Sequence, residues 1–165
     1  MNPDFIDMLE ECLSRGFRVL VLSNAMRPMQ RAKTRLLDVK NRFGDLLTLR
    51  VSLDHFTPER HEDERSPGTF KPTLDGLIRL ARNGFKVAVA GRTMWGEDEK
   101  AERAGYVRLF AEHDIEINVE DPSQVVLFPE IDARADVPEI TPAVGASSAS
   151  RMTLYVRDFT DDCEA

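Results

Sequence analysis

Two stretches of the chain align without a gap: RGFRVLVLSNAM (residues 15–26) and NGFKVAVAGRTM (residues 83–94). Each has a glycine, a phenylalanine, a basic residue, an apolar run and a polar tip. Glycine is the residue that most readily takes the left-handed conformation closing a helix. The short apolar run after it has the length and β-branched content of a buried strand. The repeat is therefore a helix–strand unit used twice. A helix ending directly in a fully apolar strand restricts the fold to crossover units and a parallel sheet covered by helices.

The rest of the chain fits that alternation. A first helix is expected from Asn2, with Pro3 and Asp4 in its first turn and Phe5, Ile6, Leu9 and Leu13 at helical spacing. Gly16 ends it, and Phe17 to Leu22 form a strand. A second helix is expected over about 30–42, with Leu36, Leu37 and Phe43 inward, followed by a strand over 47–53. A third helix begins near Pro72 and leads into the second copy of the repeat. A polar helix over 98–112 follows, carrying Ala101, Ala104, Val107, Leu109 and Phe110. Segments 116–119 and 125–128 are short strand candidates. Residues 132–149, rich in Ala, Pro and Ser, have the composition of a linker. Residues 151–156 alternate like a strand, and 158–165 form an acidic tail. The expected organisation is one α/β domain over 1–130 and a poorly ordered end over 131–165.

A chain of 165 residues is long enough to bury a real core. Its net charge of −7 argues against nucleic acid or an anionic membrane as partner, since phosphate backbones need a basic face. The basic residues Arg27, Arg31, Lys33, Arg35, Lys40 and Arg42 have helical spacing and are expected on a solvated helix face. No run reaches the roughly 18 apolar residues of a membrane span, and no signal peptide opens the sequence. The expected location is the cytoplasm. The two cysteines, Cys12 and Cys163, form neither a disulfide framework nor a metal motif. His55, His61 and His113 lie in charged segments and are expected to be solvated; no metal site is assigned to them.

In parallel α/β folds, sites gather at the carboxyl ends of the strands. Three polar tips follow three successive strands here: Ser23-Asn24, Ser52-Leu53-Asp54 and Arg92-Thr93. Each could simply cap a turn. Together on one edge they make a candidate site. Ser52 and Asp54, two apart on a strand, should share a face. A hydroxyl and a carboxylate suit a ligand with vicinal hydroxyls or an amino-acid head group. Arg65, in the charged loop after Asp54, could grip a ligand carboxylate in a bidentate fork. No P-loop, nucleophile elbow or G-x-G-x-x-G is present.

The stretch LRVSLDHFTPERHEDERSPGTFKPTLDGLIRLARNGFKVAVAGRTMWGE (residues 49–97) resembles the middle of a radical S-adenosylmethionine (SAM) enzyme. The family's pattern there is a strand ending V-S-L-D, a loop of the type H-x-x-x-R…G-T-F, a helix closed by glycine, and an apolar strand. NPDFIDMLEECLSRGFRVLVLSNAM (residues 2–26) resembles the preceding helix and strand, so the likeness covers roughly 2–128. It implies a partial parallel (β/α) barrel of about four strands of the TIM-barrel type, with SAM and an iron–sulfur [4Fe-4S] cluster at the carboxyl ends. By the resemblance, Ser23 and Asn24 lie near SAM, Ser52 and Asp54 near its methionyl and ribose groups, Arg65 near its carboxylate, and Arg92 at the same mouth. In the intact family, SAM is cleaved reductively to a radical that abstracts hydrogen from a small-molecule or peptide substrate.

The departures matter as much. The family holds its cluster with a C-x-x-x-C-x-x-C loop and the SAM amino group with a Gly-Gly-Glu segment; neither is in this sequence. Three thiolates are needed to leave one iron for SAM, and no catalytic or metal-ligating residue is assigned. The expectation is a truncated or internally started domain, inactive alone. A second reading is a non-catalytic remnant or interaction module. A third is a fragment of a haloacid-dehalogenase-like phosphatase, whose second motif is similar to the strand ending Ser23-Asn24, but whose D-x-D strand has no counterpart upstream. With the preceding barrel strands missing, the strand over 17–22 is expected at an uncovered edge, open to self-association.

Overall fold

The structure, a computed structural model, describes residues 2, 4–26, 29, 32–93, 96, 98–129 and, for the backbone, 154–157. It is an α/β arrangement built as the repeat requires. Helix α1 (Phe5–Ser14) leads to β1 (Val19–Ser23), and α2 (Lys33–Phe43) with one 3₁₀ turn leads to β2 (Leu47–Ser52). Helices α3 (Pro58–Glu64) and α4 (Phe70–Arg82) then lead to β3 (Lys86–Thr93), and α5 (Glu99–Glu112) to β4 (Val125–Pro129). A last strand, β5, spans Leu154–Arg157. All pairings are parallel, in the order β4-β3-β2-β1-β5. The first four strands are laid down in sequence order, as in part of a (β/α) barrel.

The repeat acts through its helix ends. At the first copy, Gly16 (φ 81) donates to the Leu13 carbonyl at 2.9 Å and Phe17 to the Cys12 carbonyl at 3.2 Å. At the second, Gly84 (φ 70) donates to Ala81 at 2.8 Å and Phe85 to Leu80 at 3.2 Å. The paired 5→2 and 6→1 bonds form a Schellman motif in both. A third copy closes α5, where Ile115 donates to Phe110 at 2.9 Å around Asp114 at φ 55. The sequence hid it, because aspartate stands where the other copies have glycine.

On β1 and β2 one face of the sheet is packed and the other, open face is half-buried, while β3 is buried on both faces from Val87 to Gly91. Val19 and Val21 of β1 and Leu47, Leu49 and Val51 of β2 are buried against Leu9, Leu13, Leu36, Val39 and Leu77 of the helices. The alternate residues Leu20, Leu22, Thr48, Arg50 and Ser52 are only half-buried. Right-handed crossovers running in one direction along a sheet place successive helices on one side.

Several expectations are corrected. The strand β1 is not at an edge: β5 pairs with it through Val19↔Leu154 to Leu22↔Arg157. The segment 116–119 is not a strand, because Asn118 and Asp121 turn the backbone there by accepting from Glu120 and Ser123. The charged loop after β2 contains a helix, α3, with Pro58 in its first turn. On α5 the buried residues are Glu102, Gly105, Tyr106 and Phe110, while Ala101, Ala104 and Val107 face solvent. The expected linker over 132–149 and the acidic tail lie outside the described residues. No described helix is long and apolar enough to cross a membrane.

Candidate functional site at the carboxyl edge

The parallel register brings the polar tips to one edge. Ser23 pairs with Val51, Ser52 with Ala90, and Arg92 follows two residues later on β3. The tips then differ in what they do. Ser23 is buried, and its Oγ accepts the Ala25 N–H at 3.0 Å. The Asn24 Oδ1 accepts the Met26 N–H at 3.1 Å. These side chains cap a turn that carries Ala25 in the left-handed region, φ 57. The turn matters for packing, since a Cβ on Gly76 of α4 would lie 2.2 Å from the Ala25 carbonyl oxygen. Only glycine lets the helix approach the β1 tip this closely.

The second tip gathers the charged groups. The strand β2 ends at Ser52, and the Leu53 N–H is shared between the carbonyls of Val51 (3.1 Å) and Ala90 (3.0 Å). That kink breaks the alternation. Ser52 stays half-buried on the open face, while Asp54 turns inward and is 3% exposed. The Asp54 carboxylate takes Arg65 in a fork, Nε to Oδ2 at 2.5 Å and Nη2 to Oδ1 at 3.3 Å. Arg92 Nε lies 3.7 Å from Oδ1, and Arg92 Nη1 reaches Glu64 Oε2 at 3.3 Å. The Arg92 N–H also donates to the Asp54 carbonyl at 2.9 Å. The result is a charge chain, Arg65–Asp54–Arg92–Glu64, with its acid at the bottom and its guanidiniums at the rim, 38% and 41% exposed.

The walls of this knot were hidden in the sequence. Tyr106 of α5, fully buried, donates its hydroxyl to the Leu53 carbonyl at 2.7 Å. Burial, followed by the nearby Asp54 and Glu102 carboxylates, raises its phenol well above the ordinary 10.0. Phe56 stacks on His55 and meets Tyr106 edge-on, in space left by Gly105. His55 and His61, expected in solvent, are each 1% exposed. Burial lowers the His61 pKa, outweighing Asp54 and Glu62, which raise it. Thr57-Pro58-Glu59 is a helix-start pattern and was the one signal that could have revealed α3.

The arrangement places two partly exposed guanidiniums, those of Arg65 and Arg92, at the carboxyl edge. Arg65 has committed Nε and Nη2 to Asp54, and a guanidinium carries five N–H donors. The Arg65 side chain as a whole is 38% exposed. Among the described residues, no group of three or more His, Cys, Asp or Glu is placed to hold a metal ion. Cys12 is half-buried on α1, which packs against β1, and Cys163 lies outside the described residues.

No protein-family model matches the chain, and no curated protein matches it. Solved structures do. The crystal structure of Streptococcus suis SuiB bound to S-adenosylmethionine aligns with a TM-score of 0.53 at 10% identity, over 82% of this chain and 28% of that one. A second crystal structure of Streptococcus suis SuiB gives 0.53 at 9%, over 96% of this chain and 37% of the other. At such identity the likeness is one of fold alone. The chain spans about a third of the length of the structures it matches.

Proposed function

We propose that this chain is the SAM-facing segment of a radical SAM-like barrel, binding S-adenosylmethionine at the carboxyl edge of β1–β3. The observation that carries the reading is the Arg65–Asp54–Arg92 knot at that edge, in a fold whose solved neighbour is bound to S-adenosylmethionine. SAM is a zwitterionic amino acid joined through a sulfonium to an adenosyl ribose. Arg65 and Arg92 suit its carboxylate as charge-assisted donors. Ser52, half-buried on the open face, supplies a hydroxyl for the methionyl or ribose group. Asp54 acts one step back: paired with Arg65, its carboxylate orients the two guanidiniums rather than meeting the ribose. Ser23 and Asn24 shape the neighbouring rim through the turn they cap.

The cluster does not fit the residues present. Two cysteines cannot supply the three thiolates of one loop, and Cys12 belongs to a covering helix. The activity proposed for this chain therefore stops at binding and orienting SAM, and SAM bound here alone stays intact. The competing reading, an interaction module that keeps the fold and has lost the ligand, is favoured by the same missing thiolates. Cytoplasmic location and self-association through a sheet edge remain part of the proposal; among the described residues the outer strands are β4 and β5.

Titration calorimetry decides between the two readings. The chain should bind SAM saturably. Ser52→Ala should weaken binding by about 0.5–1.5 kcal/mol, and Arg65→Ala by roughly twice that. No heat of binding, or equal affinity in wild type and the double variant, rejects the assignment.

A further inference from the structure

His61 is a buried titratable group that the SAM reading leaves without a role. Its backbone carbonyl accepts the Arg65 N–H at 3.1 Å, and its Nδ1 accepts the Asp54 N–H at 3.1 Å. One residue thus bonds the backbones of both partners in the Asp54–Arg65 ion pair. A backbone N–H can only donate, so Nδ1 must carry its lone pair and the ring proton sits on Nε2. That Nε2–H is buried and has no hydrogen-bond partner among the described residues. The perpendicular ring of Phe70 packs beside it, 5.7 Å between centroids. An apolar side chain would fill this space without stranding a donor. The imidazole is explained by what Nδ1 does.

We infer that His61 is the positioning residue of the carboxyl edge: as the neutral Nε2–H tautomer it ties α3 to the turn after β2, and so holds the Asp54 carboxylate in the fork of Arg65. The inference rests on the SAM reading only for what the arginine is held to do. The groups facing the imidazole are Asp54 and His55 from the turn after β2, Glu62 and Arg65 from α3 and its end, and uncharged Phe70 from α4. A proton added to Nδ1 would set N–H against N–H and break the tie to Asp54.

The test is nuclear magnetic resonance on the whole chain without SAM. At neutral pH, the ¹⁵N shifts of His61 should show a bare Nδ1 and a protonated Nε2. Exchange of the Arg65 Nε–H with water then reports the ion pair. His61→Phe keeps a ring against Phe70 but no acceptor, and should speed that exchange roughly three- to tenfold, the effect of one hydrogen bond on a local opening. His61→Asn, whose Oδ1 can stand where Nδ1 stood, should stay within about twofold of wild type. On acidification, the ratio of wild-type to His61→Asn exchange should step up as the His61 ring titrates. A protonated Nδ1 in the wild type, or unchanged Arg65 exchange in a folded His61→Phe chain, overturns the inference. If His61→Phe does not fold, the wild-type tautomer and the acid step decide it. All readouts are taken without ligand, so failure of SAM to bind leaves them standing, and their failure leaves SAM binding to its own titration.

Discussion

Gly91 and Tyr106 should be energetically coupled, because one hydroxyl decides both positions. A Cβ built on Gly91 in β3 lies 2.3 Å from the Tyr106 hydroxyl, 2.8 Å from Leu127 Cδ2 and 3.0 Å from Tyr106 Cζ. Gly91→Ala alone overpacks this site, at a cost of about 1–3 kcal/mol. The hydroxyl cannot retreat, since it donates to the buried Leu53 carbonyl at 2.7 Å. Tyr106→Phe removes that bond and leaves the carbonyl without this donor, again about 1–3 kcal/mol. In the double variant the nearest contact is gone, and Leu127, only partly buried, can turn aside. The combined loss should fall short of the sum by at least about 1 kcal/mol. Urea unfolding followed by circular dichroism, with all four chains sharing one m value, measures the cycle. Losses that add to within about 0.5 kcal/mol would refute the account of why β3 carries a glycine here.

Three more outcomes follow from the same contacts. Tyr106 keeps its proton in the folded chain at pH values where the unfolded chain loses it, so the folded state binds more protons above about pH 10 and stability must fall as pH rises further; Tyr106→Phe should remove that alkaline slope in unfolding titrations. Gly76→Ala, with its new Cβ 2.2 Å from the Ala25 carbonyl oxygen, should cost more than about 2 kcal/mol, since backbone on both sides must move; a midpoint unchanged in urea would contradict the close packing of α4. Asp54→Asn should cost only about 1–2 kcal/mol, because Arg65 is 38% exposed and can return to water; a loss above about 4 kcal/mol in the same assay would mean that the pair is dry.

What was legible in the sequence was what local chemistry encodes. The glycine–phenylalanine pairs at 16–17 and 84–85 each specify a helix end and the strand after it, so the repeat gave the parallel sheet. The third unit was invisible because Asp114 adopts φ 55 without being glycine. The face of α5 was misjudged because burial there follows shape and polar contact: Glu102 is fully buried, and Gly105 is needed for the Phe56 ring. At the site, strand tips on one edge could be expected from topology alone. The joining of Asp54 to Arg65 could not, because it depends on α3 folding the charged loop back on itself. That fold-back also buries His55 and His61, which composition alone assigns to solvent.

The central claim is that the guanidiniums of Arg65 and Arg92 receive a ligand carboxylate at the carboxyl edge. It is tested most directly by arginine side-chain resonances. In a chain labelled with ¹⁵N-arginine and titrated with S-adenosylmethionine, the Nε–H signals of Arg65 and Arg92 should move saturably and together. Those of Arg15 on the α1 end and Arg42 on α2, which pair with Glu11 and Glu10, should stay still. Saturable shifts confined to arginines away from the Asp54 knot, or none at any arginine, would contradict the account.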